Sequence, residues 1–123
     1  MVAQKAALGI VARLKQLASP VSIHTSESSQ GQEDYLSMAV PTIARLFDMV
    51  ELTKMLLAYE LLGALVALNL RTERAGEGVV AIQEFFADKI APLKRDRSPG
   101  PDVEVILGWL DSAEFNTLVD GIL

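Results

Sequence analysis

Cysteine is absent from this sequence, and histidine occurs once, as His24. These absences exclude disulfides, thiolate nucleophiles and cysteine-ligated zinc, and one histidine cannot build a histidine-rich metal site. The sequence also contains no Walker loop, dinucleotide fingerprint, nucleophile elbow or H-E-x-x-H pattern. We therefore expect no metal site, and a chain without cysteine is expected in the cytoplasm.

An excess of positive charge is also lacking. Sixteen acidic residues stand against eleven basic ones, which gives a net charge of −5, so nucleic acid is not an expected partner. The most apolar stretch, residues 55–70, contains Glu60 and falls short of the roughly 20 residues that span a bilayer. We expect no membrane insertion.

What the sequence does have is helical periodicity. Apolar residues recur at three- and four-residue spacings over 3–17, which predicts an amphipathic helix ended by Ser19 and Pro20. Residues 20–31 are predicted to form a loop. Three shorter helices are predicted over 79–90, 101–110 and 113–119, the last with Asp111 and Glu114 as its capping pattern. The predicted fold class is all-α.

A long helix is predicted over 33–70, because Ser29 and Gln32 fit the S-x-x-Q capping box and good helix formers follow. Pro41 predicts a kink, or a short helix followed by a second one. From residue 42 to residue 70 alone, about 29 residues would extend roughly 43 Å. A globule of this size has a diameter near 35 Å.

Half of the residues are hydrophobic, and the second half of the long helix is apolar on nearly every face. A helix of that kind must be buried on every face. We therefore predict a single domain, 1–123, in which the long helix packs with shorter helices as part of an oligomeric helical bundle.

The candidate chemistry lies at Gln32, Glu33 and Asp34, where the loop meets the long helix. The positive end of the helix dipole would hold a carboxylate ionised there, although acidic residues in a first turn are also simply good helix starters. Glu60 is interpreted as paired, with Lys54 or Arg71 of a neighbouring chain, or as protonated. Two further alternatives stay open: His24 is a proton shuttle or a solvated loop residue, and residues 94–97 are an anion clamp or a solvated connection.

Several blocks resemble one known family. They are L-A-S-P-V-S-I at 17–23, G-Q-E-D-Y-L-S-M at 31–38, L-A-Y-E-L-L at 57–62 and A-L-N-L-R at 67–71, followed by L-K-R-D-R at 93–97 and P-D-V-E at 101–104. Their order and content are similar to the C-terminal part of the histidine and phenylalanine ammonia-lyases.

The resemblance implies a homotetrameric helical lyase that eliminates ammonia from an aromatic amino acid. Its electrophile is a methylidene-imidazolone ring made from an Ala-Ser-Gly tripeptide. By the same resemblance Glu33 is the catalytic residue, near the substrate's amino group or imidazole, Gln32 contacts the substrate and Asp34 supports them. Glutamate at position 33 resembles the histidine-type enzymes.

The chain also departs from that pattern. It contains no Ala-Ser-Gly tripeptide, so no cofactor is expected from this chain itself. His24, Glu27 and Gly31 stand where the family often has aspartate, proline and asparagine. We therefore expect a C-terminal piece or small subunit that is inactive alone and needs further copies of itself or an N-terminal lyase polypeptide. The alternatives are a non-catalytic oligomerisation or regulatory module, and an isolated enzyme of new activity.

Overall fold

The computed structural model describes residues 2–32, 36–73 and 75–122. The described part of the chain contains five α-helices: α1 (Val2–Leu17), α2 (Ala39–Leu70), α3 (Glu77–Phe86), α4 (Gly100–Leu110) and α5 (Ala113–Asp120). Two short 3-10 helices, Ser22–His24 and Ser29–Gly31, lie between α1 and α2. The predicted all-α fold class is confirmed, and α1, α4 and α5 agree with their predicted limits to within about two residues.

The start of α2 differs from the prediction. Residues 36–38 are not helical, and α2 begins at Ala39 and continues unbroken to Leu70. Pro41 consequently lies in the first turn, where a missing N–H costs nothing because the first four amides of a helix have no intrahelical partner. A start at residue 33 would have placed this proline in the helix interior. The predicted capping box is therefore wrong, and Pro41 introduces neither a break nor a second helix.

The core forms around the C-terminal half of α2. Ala58, Leu62 and Leu65 are buried there against Phe86 of α3 and Ile106 of α4. Part of the apolar surface of α2 is thus covered within the chain, as the predicted packing of the long helix with shorter helices requires. Phe86 and Ile106 are almost completely inaccessible to solvent, at 1% and 0% exposure, so the shorter helices have a well-packed centre.

Two local details of the shorter helices also differ from prediction. The helix α3 ends at Phe86 rather than at residue 90, and turns follow it. The cap of α5 is Ser112, whose hydroxyl accepts a hydrogen bond from the Phe115 amide at 3.1 Å. Asp111 instead forms an ion pair with Lys54 of α2. The acid-first capping pattern is therefore wrong by one residue.

The helix α1 packs along α2 in the opposite direction. Its last residue, Leu17, lines a cavity together with Met38 and Met49, while Val2 lines another together with Tyr59 farther along α2. At about 1.5 Å per residue, α2 is roughly 48 Å long, twice the length of α1. None of the helices in the described ranges combines the length and hydropathy that a bilayer-spanning segment requires.

Large apolar side chains remain exposed on the N-terminal half of α2. We call the set Ile43, Leu46, Phe47 and Val50 the α2 stripe. Their spacings of three, four and seven residues place them on one face of the helix. Phe47 is 69% exposed. A contiguous apolar face of this kind is typical of an interaction surface.

Candidate functional site

The candidate site lies in the connection between α1 and α2, residues 18–38. Arg45, in the second turn of α2, anchors the start of this connection by donating from Nη1 to the Ser19 carbonyl oxygen at 2.8 Å. A guanidinium suits this role because its donors are fixed in a rigid fork. The contact holds the end of α1 beside the beginning of α2, and so determines where the connection leaves the helices.

A second set of contacts closes the connection upon itself. The Thr25 hydroxyl donates to the Leu36 carbonyl oxygen at 2.8 Å, and the Leu36 amide donates to the Ser26 carbonyl oxygen at 3.1 Å. These two bonds join residues about ten positions apart, and we call them the neck. Compact surface loops with closely spaced ends are frequently functional. The neck brings Ser26 close to Leu36, so residues 26–36 form a loop with closely spaced ends, and Gln32 is one of its described residues.

A left-handed turn precedes Gln32 inside the loop. Ser29, Gln30 and Gly31 have φ values of 53°, 56° and 80°. The turn is closed by hydrogen bonds from the Gly31 amide to the Ser28 carbonyl and from the Gln32 amide to the Ser29 carbonyl, each 3.2 Å long. A residue with a Cβ pays about 1–2 kcal/mol in this conformation. Backbone strain of this kind is concentrated at functional sites in proteins.

Of the three predicted site residues, the structure describes one. Gln32 directly follows the left-handed turn, and it is exposed. Glu33 and Asp34 lie outside the described residues. His24 is exposed at the end of the first 3-10 helix, as a solvated loop histidine would be.

Beneath the connection lies a cleft of about 550 Å³. Its walls are mainly apolar and include Leu17, Pro20, Met38 and Met49, and Arg45 is the one charged residue among the described lining residues. A cleft of this size is within the range of small-molecule sites. The loop, Arg45 and the cleft together form the region in which residues from α1, the connection and α2 meet.

The contacts of Arg97 bear on the interpretation of residues 94–97 as an anion clamp. Arg97 donates from Nη1 to Asp102 Oδ1 and from Nη2 to the Ala91 carbonyl oxygen, both at 2.7 Å. Asp102 is buried, and it also lines a cavity of about 400 Å³ between α2 and the segment after α3. Because its guanidinium already neutralises a buried carboxylate, Arg97 secures the α3–α4 connection.

Glu60 is exposed in this chain. The two cations proposed to pair with it have partners of their own: Lys54 contacts Asp111, and Arg71 contacts Glu73 at 2.7 Å. The interpretation that Glu60 pairs with a neighbouring chain stays a prediction.

Within the described residues, no group of three or more histidine, aspartate or glutamate side chains could hold a metal ion.

Sequence reasoning missed Thr25 and Arg45. Each acts by donating to a backbone carbonyl oxygen, and every residue offers such an acceptor. Charge pairing or motif spacing therefore gives no signal for these contacts. Only the packing of α1 against α2 brings Ser19 within reach of Arg45.

Comparison with known proteins gives a consistent result. Residues 1–88 match the family described as aromatic amino acid lyase. The chain is 37% identical to the histidine ammonia-lyase of Shewanella sediminis over 125 aligned positions, and 34% identical to that of Stigmatella aurantiaca over 116. It is 32% identical to the histidine ammonia-lyase of Photobacterium profundum over 124 positions.

The alignments cover a much larger share of this chain than of the relatives. The three alignments take in 94–100% of this chain but only 23–24% of the relatives. The chain thus spans about a quarter of the length of the curated relatives it matches. The family match includes the whole connection between α1 and α2, and with it the loop and Gln32.

Proposed function

Since this chain belongs to the aromatic amino acid lyase family, we propose that it is the C-terminal helical part of a histidine-type ammonia-lyase and completes a shared active site. The observation that carries the proposal is the match over residues 1–88, which includes the loop at 26–36. The three relatives compared above are all histidine ammonia-lyases, which supports histidine as the amino acid that the complete enzyme uses.

In this proposal the loop supplies the residues that meet the substrate. Glu33 is the catalytic residue beside the substrate's amino group or imidazole, Gln32 contacts the substrate, and Asp34 supports them. The exposure of Gln32 supports this assignment, because its side chain is accessible to a bound molecule. The left-handed turn and the neck keep the backbone before and after these residues in a defined conformation.

The electrophile comes from elsewhere in this proposal. The sequence contains no Ala-Ser-Gly tripeptide. The residues of this chain therefore do not fit the formation of a methylidene-imidazolone. About three quarters of each relative's length has no counterpart in this chain. We propose that a polypeptide corresponding to that part supplies the electrophile, and that the chain alone is inactive.

The α2 stripe is the surface through which the chain assembles in this proposal, with copies of itself, with the lyase polypeptide, or with both. The stripe occupies the half of α2 that α3, α4 and α5 leave uncovered. Burying such side chains yields about 25 cal/mol for each Å² removed from water. We place the assembled enzyme in the cytoplasm.

Reconstitution tests the proposed function. The chain is mixed with the N-terminal part of a histidine ammonia-lyase that contains Ala-Ser-Gly, and formation of the unsaturated acid is followed by its ultraviolet absorbance. We expect activity with histidine only when both polypeptides are present. Glu33→Ala should lower kcat by about 10²–10⁴-fold, the usual contribution of a group that acts on a reacting proton.

Glu27→Ala is the matched control, because Glu27 is an exposed acidic residue in the same loop. It should leave kcat unchanged within about twofold, which is below the smallest effect expected for a catalytic group. If the mixture is equally active with Glu33→Ala, the catalytic assignment is wrong. If the unchanged chain never restores activity, the proposed function itself is wrong.

A non-catalytic oligomerisation or regulatory module is the second candidate, and the exposed α2 stripe favours it. This candidate expects a stable homo-oligomer whose formation is indifferent to Gln32→Ala and Glu33→Ala, with no activity in any mixture. The two candidates are distinguished by reconstitution, since both expect assembly but only the first expects product.

A further inference from the structure

The Thr25 hydroxyl is the one side-chain group that contributes to the neck, among the hydrogen bonds of the described residues. Its bond to the Leu36 carbonyl oxygen is 2.8 Å long, and the other bond of the neck joins backbone to backbone. Removal of the hydroxyl would leave one of the two hydrogen bonds of the neck, from the Leu36 amide to the Ser26 carbonyl oxygen. The neck would then separate more easily, since one bond contributes only modestly to stability in water.

Gln32 depends on such bonds for its position because it is exposed and cannot be held by core packing. Leu36 follows it by four positions in the sequence, and the backbone amide of Gln32 donates to the Ser29 carbonyl oxygen within the left-handed turn. Ser29 and Gln30 adopt that turn against their intrinsic preference. A strained turn persists only where its surroundings determine it, and the neck is a constraint that does so here.

We propose that Thr25 is a positioning residue for the lyase reaction, which acts through the neck to hold Gln32 where it contacts the substrate. This inference rests on the proposed function. Thr25 itself does not touch the substrate. Its loss should weaken substrate binding, because a contact that must first be ordered binds less tightly than one already in place.

The test compares Thr25→Val, which keeps the shape but removes the hydroxyl, with Thr25→Ser, which keeps the hydroxyl. Thr117→Val is the matched control, since the Thr117 hydroxyl donates to the Ala113 carbonyl oxygen at the same 2.8 Å but on α5. Each variant is assayed in the reconstituted lyase with histidine. Thr25→Val should raise KM by about three- to tenfold, the loss expected for one hydrogen bond, while kcat stays within about twofold.

Thr25→Ser should have the same KM as the chain without substitutions, and so should Thr117→Val. A second measurement is independent of activity: exchange of the Leu36 amide hydrogen in the unmixed chain should become faster in Thr25→Val and remain slow in Thr25→Ser. Faster exchange together with a raised KM and rescue by serine supports the proposal.

Two results would overturn the inference while the proposed function survives. One is an active lyase in which Thr25→Val leaves KM unchanged, and the other is a KM effect that serine fails to rescue. Absence of activity in the unchanged mixture has a different meaning, because it overturns the proposed function and this positioning role with it.

Discussion

Lys54 Nζ lies 2.7 Å from Asp111 Oδ2, so an ion pair joins the middle of α2 to the turn between α4 and α5. Glu51 Oε1 is farther from the same nitrogen, at 3.5 Å. The hydrogen bond that Lys54 donates to Asp111 raises the pKa of Lys54 above its usual value, and the charges of Asp111 and Glu51 act in the same direction. The pair lies between the α2 stripe and the part of α2 that α3, α4 and α5 cover.

This pair gives the stability of the fold a defined dependence on alkaline pH. A lysine whose pKa is raised by folding stabilises the native state fully below its unfolded pKa, about 10.4. That contribution is lost as the pH rises through the folded pKa. We predict that the coupling free energy between Lys54 and Asp111 is present at pH 8 and disappears toward pH 12.

A double-mutant cycle measures that coupling, with Lys54→Met, Asp111→Asn and the double variant compared with the unchanged chain. The free energy of unfolding is determined by urea denaturation at one fixed protein concentration. The cycle cancels the titration of the other lysines, which the four proteins share. A coupling that is zero at pH 8, or that persists at pH 12, would contradict the prediction.

The second prediction concerns the strain in the left-handed turn. Gln30 has φ 56° and ψ 40°, which costs a residue with a Cβ about 1–2 kcal/mol. Gln30→Gly removes that cost, although glycine gives back about 0.5–1 kcal/mol through the entropy of the unfolded chain. We therefore expect a net gain of about 0.5–1 kcal/mol in the free energy of unfolding.

Gln30→Ala is the control for that gain, because alanine lacks the amide group but keeps the Cβ that causes the strain. It should not stabilise the chain. Urea denaturation of the three proteins side by side gives the comparison. Equal stabilisation by alanine and glycine would mean that the glutamine side chain, rather than the backbone conformation, is unfavourable at this position.

The sequence was a good guide to α1, α4 and α5, whose apolar spacing and nearby proline or glycine are local signals. It failed at the start of α2, where two local signals competed. Ser29 with Gln32 fitted a capping box, whereas Pro41 favoured a later start. In the structure α2 begins at Ala39, two residues before Pro41, and Ser29 lies in a left-handed turn. Local patterns do not include the neck, which is a contact between distant residues.

The candidate site shows the same division. Gln32, Glu33 and Asp34 are predicted site residues from a resemblance between short blocks of sequence, and their roles stay predictions. The contacts that shape the loop could not be predicted, since Thr25 and Arg45 bond to backbone oxygens whose positions depend on the tertiary fold. The long helix and its packing with shorter helices were predictable from helix formers and apolar spacing, but the residues of α3 and α4 that contact α2 were not.

The last prediction concerns the α2 stripe and its role in assembly. If copies of the chain associate through this face, Phe47→Gln should weaken association without unfolding the protomer, because Phe47 is already 69% exposed. Static light scattering should show the unchanged chain as an oligomer at micromolar concentration and the variant shifted toward the monomer. Burial of a phenylalanine side chain contributes about 1.5–3 kcal/mol at each interface, which corresponds to a dissociation constant raised by roughly tenfold or more.

Asp48→Gln is the control, since residue 48 is exposed and lies about 100° around the helix from Phe47. It should leave the mass distribution unchanged, which separates the effect of the α2 stripe from that of any substitution on α2. Helical circular dichroism of each variant verifies that the protomer stays folded. A monomeric unchanged chain at micromolar concentration would contradict self-association through this face, and would leave the lyase polypeptide as the partner that covers it.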